Sequence, residues 1–269
     1  MVSLKSAEEI KIMAEGGKIL AKIMKELESK VRPGITTLEL SELAEGLILK
    51  SGGTCSFLGY NVPDDSSLKR VYPACLCTSV NEEIVHAIPS TRILKEGDII
   101  SLDLGIQYKG FHNDMAITVP VGKISKEAQK LIDVTKGALE IGISQIKPGN
   151  KIGDLSKAIQ KYIEDQGFNA VRELCGHGIG RNIHEDPEIL NSVSFDRATI
   201  DKVKYFGDAK LKFKEGMVIC PEPMVSVGDW HIKKSKDGFG WETKDGSLSC
   251  HFEHTVAITK DGSLVLTLR

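Results

Sequence analysis

Apolar residues recur along the chain at two different spacings, and each change of spacing marks a change between helix and strand. Apolar positions within 10–27, 40–47, 131–138 and 152–163 lie three, four and seven residues apart. This spacing predicts amphipathic helices that each bury one face. The sequence therefore predicts two pairs of helices, one at the start of the chain and one in its middle.

Local signals mark where these helices begin and end. Ser6 is followed by Glu9, and Thr36 is followed by Glu39. In such a capping box the hydroxyl accepts a hydrogen bond from the third residue's backbone, and that residue's carboxylate accepts one in return. Pro-Gly pairs, which interrupt helices, separate the members of each helix pair, at 33–34 and 148–149.

The stretch 98–119, DIISLDLGIQYKGFHNDMAITV, predicts two strands joined by a short turn. With a turn at 108–109 and a permissive Gly110 after it, Asp103 faces Asp114 directly across the hairpin. Opposed side chains of this kind are about 4.5–5.5 Å apart at Cβ, and like charges there are destabilising. Two carboxylates this close share a proton or a cation, unless both lie solvated on an open face.

The chain contains an internal repeat. The run KEGDIISLD, which ends at Asp103, resembles KEGMVICPE, which ends at Glu222. Asp114 begins DMAIT, and Glu253 begins the similar EHTVAIT. Four acids therefore occupy equivalent places in two related halves. Unpaired acids inside a sheet are costly, so a shared role for all four is the better interpretation.

Two helices followed by strands, repeated twice, predict an α+β fold. We expect two pseudo-symmetric halves, about 1–122 and 123–269, that together form a single catalytic domain spanning 1–269. A curved antiparallel sheet would be covered on its outer face by the four helices. Two polar stretches, 59–73 and 188–213, fall outside the repeat and are either the rim of a binding site or plain surface loops.

Net charge and the distribution of cysteines limit the partners and the cellular compartment that the sequence supports. The chain has 35 Lys and Arg against 37 Asp and Glu, a net charge of −2, which gives no support for binding nucleic acid or an anionic membrane. No apolar run approaches the roughly 18 residues that span a bilayer, and the amino terminus lacks an apolar signal core. Six scattered cysteines without a CxxC pair predict reduced thiols in a cytoplasmic protein, with Cys75 and Cys77 buried or lining a pocket.

Three histidines lie in stretches punctuated by glycine or proline. His177 has a glycine on either side, which permits close backbone approach and leaves the ring uncrowded. His184 follows seven residues later, and His86 precedes Ala-Ile-Pro. A lone histidine is more often a satisfied core or surface group than a ligand. Three such histidines together with four equivalently placed acids indicate a metal site more than they indicate core or surface groups.

An ordered set of motifs resembles the type I methionine aminopeptidases of the pita-bread fold. The motifs are SVNEEIVHAIP, LDLG, HNDMA, CGHGIGRNIHEDP, PEPM and FEHT, and the likeness extends from about residue 4 to 265. The resemblance implies a centre that holds two divalent ions through Asp103, Asp114, His177, Glu222 and Glu253. It further implies that Asp114 and Glu253 bridge both ions. Asp103 would bind one ion, and His177 with Glu222 the other.

The same resemblance implies roles around the metals. Glu222 would move the proton of the attacking water, and His86 and His184 would contact the substrate and assist catalysis. Tyr72 and Cys77 match positions of the methionine pocket, which Phe57, Phe239 and Trp241 are candidates to complete. Oxygen-rich ligation with one imidazole suits cobalt, manganese or iron, and zinc is compatible. Two such ions can acidify a shared water and polarise the scissile carbonyl.

The expected function is removal of the initiator methionine from nascent proteins and peptides. The alternatives are a prolidase or Xaa-Pro aminopeptidase of the same fold, and a non-catalytic peptide-binding relative that has lost its metals. The substrate partner would be the N-terminal methionine of a nascent polypeptide, with transient contact to the ribosome. We expect a cytoplasmic monomer with no nucleic-acid or membrane partner.

Overall fold

The computed structural model describes residues 1–62, 70–193 and 208–268. Its α-helices are α1 (Ala7–Lys30), α2 (Thr37–Lys50), α3 (Lys126–Ser144) and α4 (Ile152–Asp165), and a short 3₁₀ helix covers Asp208–Lys210. In the first half the strands are β1 (Thr54–Cys55), β2 (Asn61–Val62), β3 (Arg70–Val71), β4 (Leu76–Val80), β5 (Glu83–Val85), β6 (Ile99–Tyr108) and β7 (Phe111–Pro120). In the second half they are β8 (Asn169–Ala170), β9 (Cys175–Gly178), β10 (Glu185–Leu190), β11 (Val218–Cys220), β12 (Met224–Ser226), β13 (Ile232–Lys234), β14 (Trp241–Thr243), β15 (Ser249–His251), β16 (Glu253–His254), β17 (Val256–Thr259) and β18 (Gly262–Val265).

Both predicted helix pairs are present, and their caps form as expected. The Ser6 hydroxyl accepts from the Glu9 backbone amide at 3.2 Å, and the Glu9 carboxylate accepts from the Ser6 amide at 3.0 Å. Thr36 and Glu39 repeat the arrangement at the start of α2. The predicted apolar faces are buried in the core, as at Leu20 of α1. None of the helices in the described ranges is long and apolar enough to cross a membrane.

The strands pair antiparallel, which agrees with the predicted sheet. One five-stranded sheet has the order β1-β6-β7-β16, with β4 also paired to β6, and another has the order β10-β9-β11-β17-β18. The pairing of β16 with β7 joins a strand of the second half to the central hairpin of the first. Gly97 and Gly216, which introduce the repeated strands, both adopt positive φ, so the repeat extends to backbone conformation.

The register of the central hairpin differs from the prediction. The turn is at Lys109-Gly110, both with positive φ, and Tyr108 pairs with Phe111. Two positive φ values fit a turn that matches the right-handed twist of the strands, and a turn of this kind at 108–109 would require a positive φ of Tyr108 instead of Gly110. Asp114 consequently pairs with Gly105, and Asp103 pairs with Ala116 rather than with Asp114. Because the shift is two residues, both carboxylates stay on one face of the sheet, as diagonal neighbours.

The prediction of six reduced thiols is wrong for one pair, because Cys55 and Cys75 form a disulfide with a Cα–Cα distance of 5.2 Å. Strands β1 and β4 pair with the same edge of β6, at Ile106 and Leu104 respectively, and this brings the two cysteines together. The spacing of the two cysteines along the sequence does not predict this contact, because it depends on how the strands pair. The other cysteines, Cys77, Cys175, Cys220 and Cys250, are free.

The two predicted excursions are described only in part. In the stretch 59–73, β2 pairs with β3, and residues 63–69 lie outside the described ranges. In the stretch 188–213, residues 194–207 also lie outside them. The described residues Tyr60 and Glu188 line the cavity that also contains Asp103 and Asp114, so the described part of each stretch reaches this cavity.

A buried ion pair connects the amino-terminal segment to β10, the strand that follows His184. Lys5 Nζ lies 2.8 Å from Glu185 Oε2, and their side chains are 3% and 11% exposed. Removing one member of a buried pair leaves an uncompensated charge. We expect Lys5→Met to lower the free energy of unfolding by about 3 kcal/mol in urea denaturation. Lys109→Met, which breaks an exposed pair with Glu15, is the control and should change it by less than about 1 kcal/mol. Equal effects of the two substitutions would contradict this account.

Candidate metal centre and substrate pocket

Three adjacent strands bring three acids to one face. Asp103 on β6 and Glu253 on β16 both pair with Ala116 of β7, from opposite sides, and Asp114 lies two residues along the same strand. Side chains two residues apart on a strand share a face. Ligand atoms of the three acids all lie within 4.8 Å of one another. The two halves of the chain therefore contribute to one acidic cluster.

A second group of side chains adjoins the first. His177 on β9 pairs with Cys220 of β11, and Glu222 follows two residues later. His177 Nε2 lies 3.8 Å from Glu222 Oε1 and 3.7 Å from Glu253 Oε1. Glu253 thus belongs to both groups. The resemblance implies a bridging role for this residue, and that role stays a prediction.

The glycines beside His177 are required by close backbone packing. A side chain at Gly176 would collide with the backbone oxygen of Cys220, and one at Gly178 with that of Asp186. Neighbouring strands can approach this closely only because no Cβ intervenes. The expectation of close backbone approach around this imidazole is borne out.

Burial makes the cluster electrostatically costly without a cation. Asp103, Asp114, Glu222 and Glu253 are each 8% exposed or less. Burial raises the pKa of Asp114 to about 7. Burial and the neighbouring carboxylates raise the pKa values of Asp103, Glu222 and Glu253 well above their usual range.

Several oxygens in the cluster lack hydrogen-bond partners. Among buried atoms of the described residues, Asp103 Oδ1, Asp114 Oδ1 and Glu253 Oε1 have none. Unpartnered buried oxygens are costly unless something else binds them. Two divalent ions would offset four carboxylates, and oxygen donors with an imidazole suit cations such as manganese, iron and cobalt. The residues therefore fit a two-metal centre.

The acids lie in a cavity of about 460 Å³. On one side its wall is aromatic and apolar and includes Phe57, Tyr72, Cys77 and Phe239. Tyr72 is 4% exposed and donates its hydroxyl to the backbone oxygen of Ala87 at 3.0 Å. Phe57 and Phe239 contact the Tyr72 ring edge-on, with centroid distances of 6.4 and 5.7 Å. Such a wall suits an apolar side chain beside the acids.

The prediction that Trp241 completes the wall of the methionine pocket is wrong. It lies on β14 opposite Val85, and it does not contribute to the cavity lining among the described residues. Lys234 Nζ instead lies 4.0 Å from the centroid of its ring. Tyr72 and Cys77, which the resemblance assigns to the methionine pocket, both line the cavity.

His184 and His86 also face the cavity. His184 Nδ1 lies 2.7 Å from the Tyr60 hydroxyl, and the ring packs edge-on against His177 at 4.5 Å between centroids. His86 directly follows β5 and has φ of 62°, a left-handed conformation that is uncommon for residues other than glycine. Held conformations of this kind concentrate at functional sites.

Sequence reasoning missed two side chains of this region. Tyr60, in the excursion 59–73, had no motif to mark it. His251 lies near both Glu222 and Glu253, with ligand atoms of the three within 4.8 Å of one another. The signal for His251 was its place two residues before Glu253, a spacing that puts both side chains on one face of an extended chain.

Fold and donor set together define a metallopeptidase of the pita-bread type, and comparison with known proteins supports this class. The sequence model of the family described as "Metallopeptidase family M24" matches residues 11–260 of this chain. The chain belongs to this family, and its activity therefore depends on divalent metal.

Relatives within the family are similar over their whole length. A methionine aminopeptidase 1 of Bacillus subtilis is 41% identical over 267 residues, covering 99% of each chain. A methionine aminopeptidase of Clostridium perfringens is 43% identical over 268 residues, covering 100% of this chain and 99% of the other. The crystal structure of a methionine aminopeptidase from Rickettsia prowazekii has a TM-score of 0.89 at 33% identity, with 100% of both chains covered. The predicted pita-bread fold is confirmed.

An Xaa-Pro dipeptidase from Bacillus anthracis shares the fold at a lower level. Its TM-score is 0.73 at 22% identity, and the match covers 99% of this chain and 62% of that one. Identity this low shows a common fold only.

Proposed function

We propose that this chain removes the N-terminal methionine from nascent proteins and peptides by hydrolysis at a two-metal centre. The observation that carries the proposal is the shared position of Glu253 between two ligand groups at the base of an apolar cavity. Full-length similarity to proteins named methionine aminopeptidase supports the substrate. The chain would act as a cytoplasmic monomer that meets its substrates as they leave the ribosome.

Five residues are assigned to the metals. Asp103 would hold one ion, His177 with Glu222 would hold the other, and Asp114 and Glu253 would be shared between the two. Cobalt, manganese and iron fit this mainly oxygen donor set best. When bound, the ions supply an acidified water and a polarised carbonyl.

The remaining side chains orient the substrate and move protons. Glu222 lines the cavity with its Oε1 3.8 Å from His177 Nε2, and it would accept the proton of the attacking water. The Tyr60 hydroxyl, by donating to His184 Nδ1, would keep the proton of that ring on Nε2, which can then donate to the developing oxyanion. His86 would contact the scissile peptide and assist departure of the amine.

The apolar wall supports selection of methionine. Tyr72, Cys77, Phe57 and Phe239 surround one side of the cavity, and a flexible thioether packs well against sulfur and aromatic edges. A free α-amine would be recognised next to the carboxylates at the cavity base. Together these features support an exopeptidase that acts on the first residue only.

Substrate choice separates this proposal from an Xaa-Pro peptidase. Purified protein loaded with cobalt or manganese is expected to cleave Met-Gly-Met efficiently and to leave Ala-Pro peptides intact. Product formation by chromatography measures both reactions. Cleavage confined to peptides with proline at the second position would overturn the proposal, and the shared fold would then point to the other activity.

The depth of the pocket depends on Cys77, which is 3% exposed at its wall. Cys77→Leu adds side-chain volume where the thioether would lie, and we expect kcat/KM for Met-Gly-Met to fall by about 10–200-fold. Cys77→Ala, which leaves the space open, should keep most of the activity. Steady-state kinetics on the two variants measures the difference. Full activity of Cys77→Leu would remove this residue from the methionine pocket.

A further inference from the structure

His251 is a buried imidazole at the metal centre without a conventional partner. It ends β15 and is 1% exposed. Neither ring nitrogen has a hydrogen-bond partner within the described ranges. Burying an imidazole in this state is costly, so an unpartnered ring at this position indicates a missing ligand.

The approach of His251 to the acids resembles that of His177. His251 Nε2 lies 3.3 Å from Glu222 Oε2 and 4.0 Å from Glu253 Oε2. His177 Nε2 lies 3.8 and 3.7 Å from the other oxygens of the same two carboxylates. The two imidazoles therefore share both acids.

These separations are those expected between ligands of one ion. With metal–ligand bonds of about 2.1 Å, ligands at neighbouring positions lie about 3.0–3.4 Å apart and opposite ones about 4.2 Å. Both histidines fall within this span. The contact of His251 with Glu222 also lacks hydrogen-bond geometry, although the distance would allow one.

We propose that His251 is a sixth protein ligand of the centre, which joins His177, Glu222 and Glu253 on one ion. The inference rests on the proposed two-metal centre and adds a second imidazole to one of its positions. Imidazole favours cobalt, iron and zinc, whereas manganese prefers oxygen ligands. His251 would therefore shift the metal preference of this ion away from manganese.

A free cysteine near the same position is a weaker candidate. Cys220 Sγ lies within 4.8 Å of ligand atoms of His177 and Glu253. Its thiol, however, contacts the Thr255 hydroxyl at 3.6 Å, and the side chain packs in an apolar cluster. Cys220 thus has partners in the protein, whereas the His251 ring nitrogens have no hydrogen-bond partner among the described residues.

X-ray absorption on the wild-type protein loaded with two cobalt ions tests the ligand count directly. Imidazole scattering should correspond to one ring per cobalt on average, since two rings serve two ions. A value of one ring per two cobalt ions would overturn the proposal and leave the centre intact. Failure of the wild-type protein to bind two ions would overturn the proposed centre together with this inference.

Variants assign the second ring. His251→Gln should halve the imidazole signal and weaken cobalt binding at one site by more than about tenfold in calorimetric titration, since even outer partners of metal ligands contribute about 10–100-fold. Manganese binding should weaken less. The control is His112→Gln, which removes a partly buried imidazole bonded to Ser56 and Gln107 and should leave the metal signal unchanged. An unaltered cobalt spectrum and affinity in His251→Gln would refute the assignment.

Discussion

Replacement of Glu253 by alanine is expected to reduce peptide hydrolysis to the background rate and to release metal from both positions of the centre. Glu253 is the carboxylate that belongs to both the Asp103–Asp114 group and the Glu222–His251 group. In the proposed centre its loss would leave each ion short of a ligand, whereas loss of Asp103 would affect one position. Metal content by mass spectrometry and turnover of Met-Gly-Met measure the two consequences.

The design of this experiment separates metal loss from unfolding. Glu242→Ala is the control, because Glu242 lies on β14, pairs with Lys233 of β13 and is not among the described residues that line the cavity. It should retain two ions and full activity, and circular dichroism should show the same secondary structure in both variants. Asp114→Ala should behave as Glu253→Ala does. Retention of two ions and normal turnover in Glu253→Ala would contradict the shared-ligand assignment.

Substitution of His86 is expected to leave metal content unchanged and to lower turnover by about 10²–10⁴-fold, the usual size of a general acid–base contribution. His86 lines the cavity but is absent from the ligand groups found among the described residues. Asparagine is the better replacement, since it tolerates the positive φ at this position more readily than alanine does. His86→Asn therefore removes the imidazole with little added backbone strain.

Kinetics and metal analysis on the same preparation test this separation. His231→Asn, at a more exposed histidine paired with Asp229, is the control and should leave both quantities unchanged. Loss of metal from His86→Asn would make His86 a ligand. Unchanged turnover would remove it from the mechanism.

Helix periodicity, caps and the internal repeat predicted the architecture because each depends on short spacing along the chain. The Ser6–Glu9 box involves atoms three residues apart, and the repeated Lys-Glu-Gly runs carry the same positive-φ glycine. The face of the sheet on which each strand side chain lies could be predicted for the same reason. The hairpin register was wrong by two residues, yet Asp103 and Asp114 still share a face, since strand side chains alternate with a period of two.

Features that depend on distant contacts could not be predicted. The Cys55–Cys75 disulfide arises because β1 and β4 meet the same edge of β6. Tyr60 reaches His184 across 124 residues of sequence. His251 was closer to prediction, because its spacing from Glu253 already placed both on one face.

Anomalous diffraction from crystals of the metal-loaded protein tests the central claim most directly. The account predicts two metal peaks about 3.5–4 Å apart, one beside Asp103 and the other beside His177, with Glu253 between them. A single peak away from these side chains, or none in protein that hydrolyses Met-Gly-Met, would contradict it.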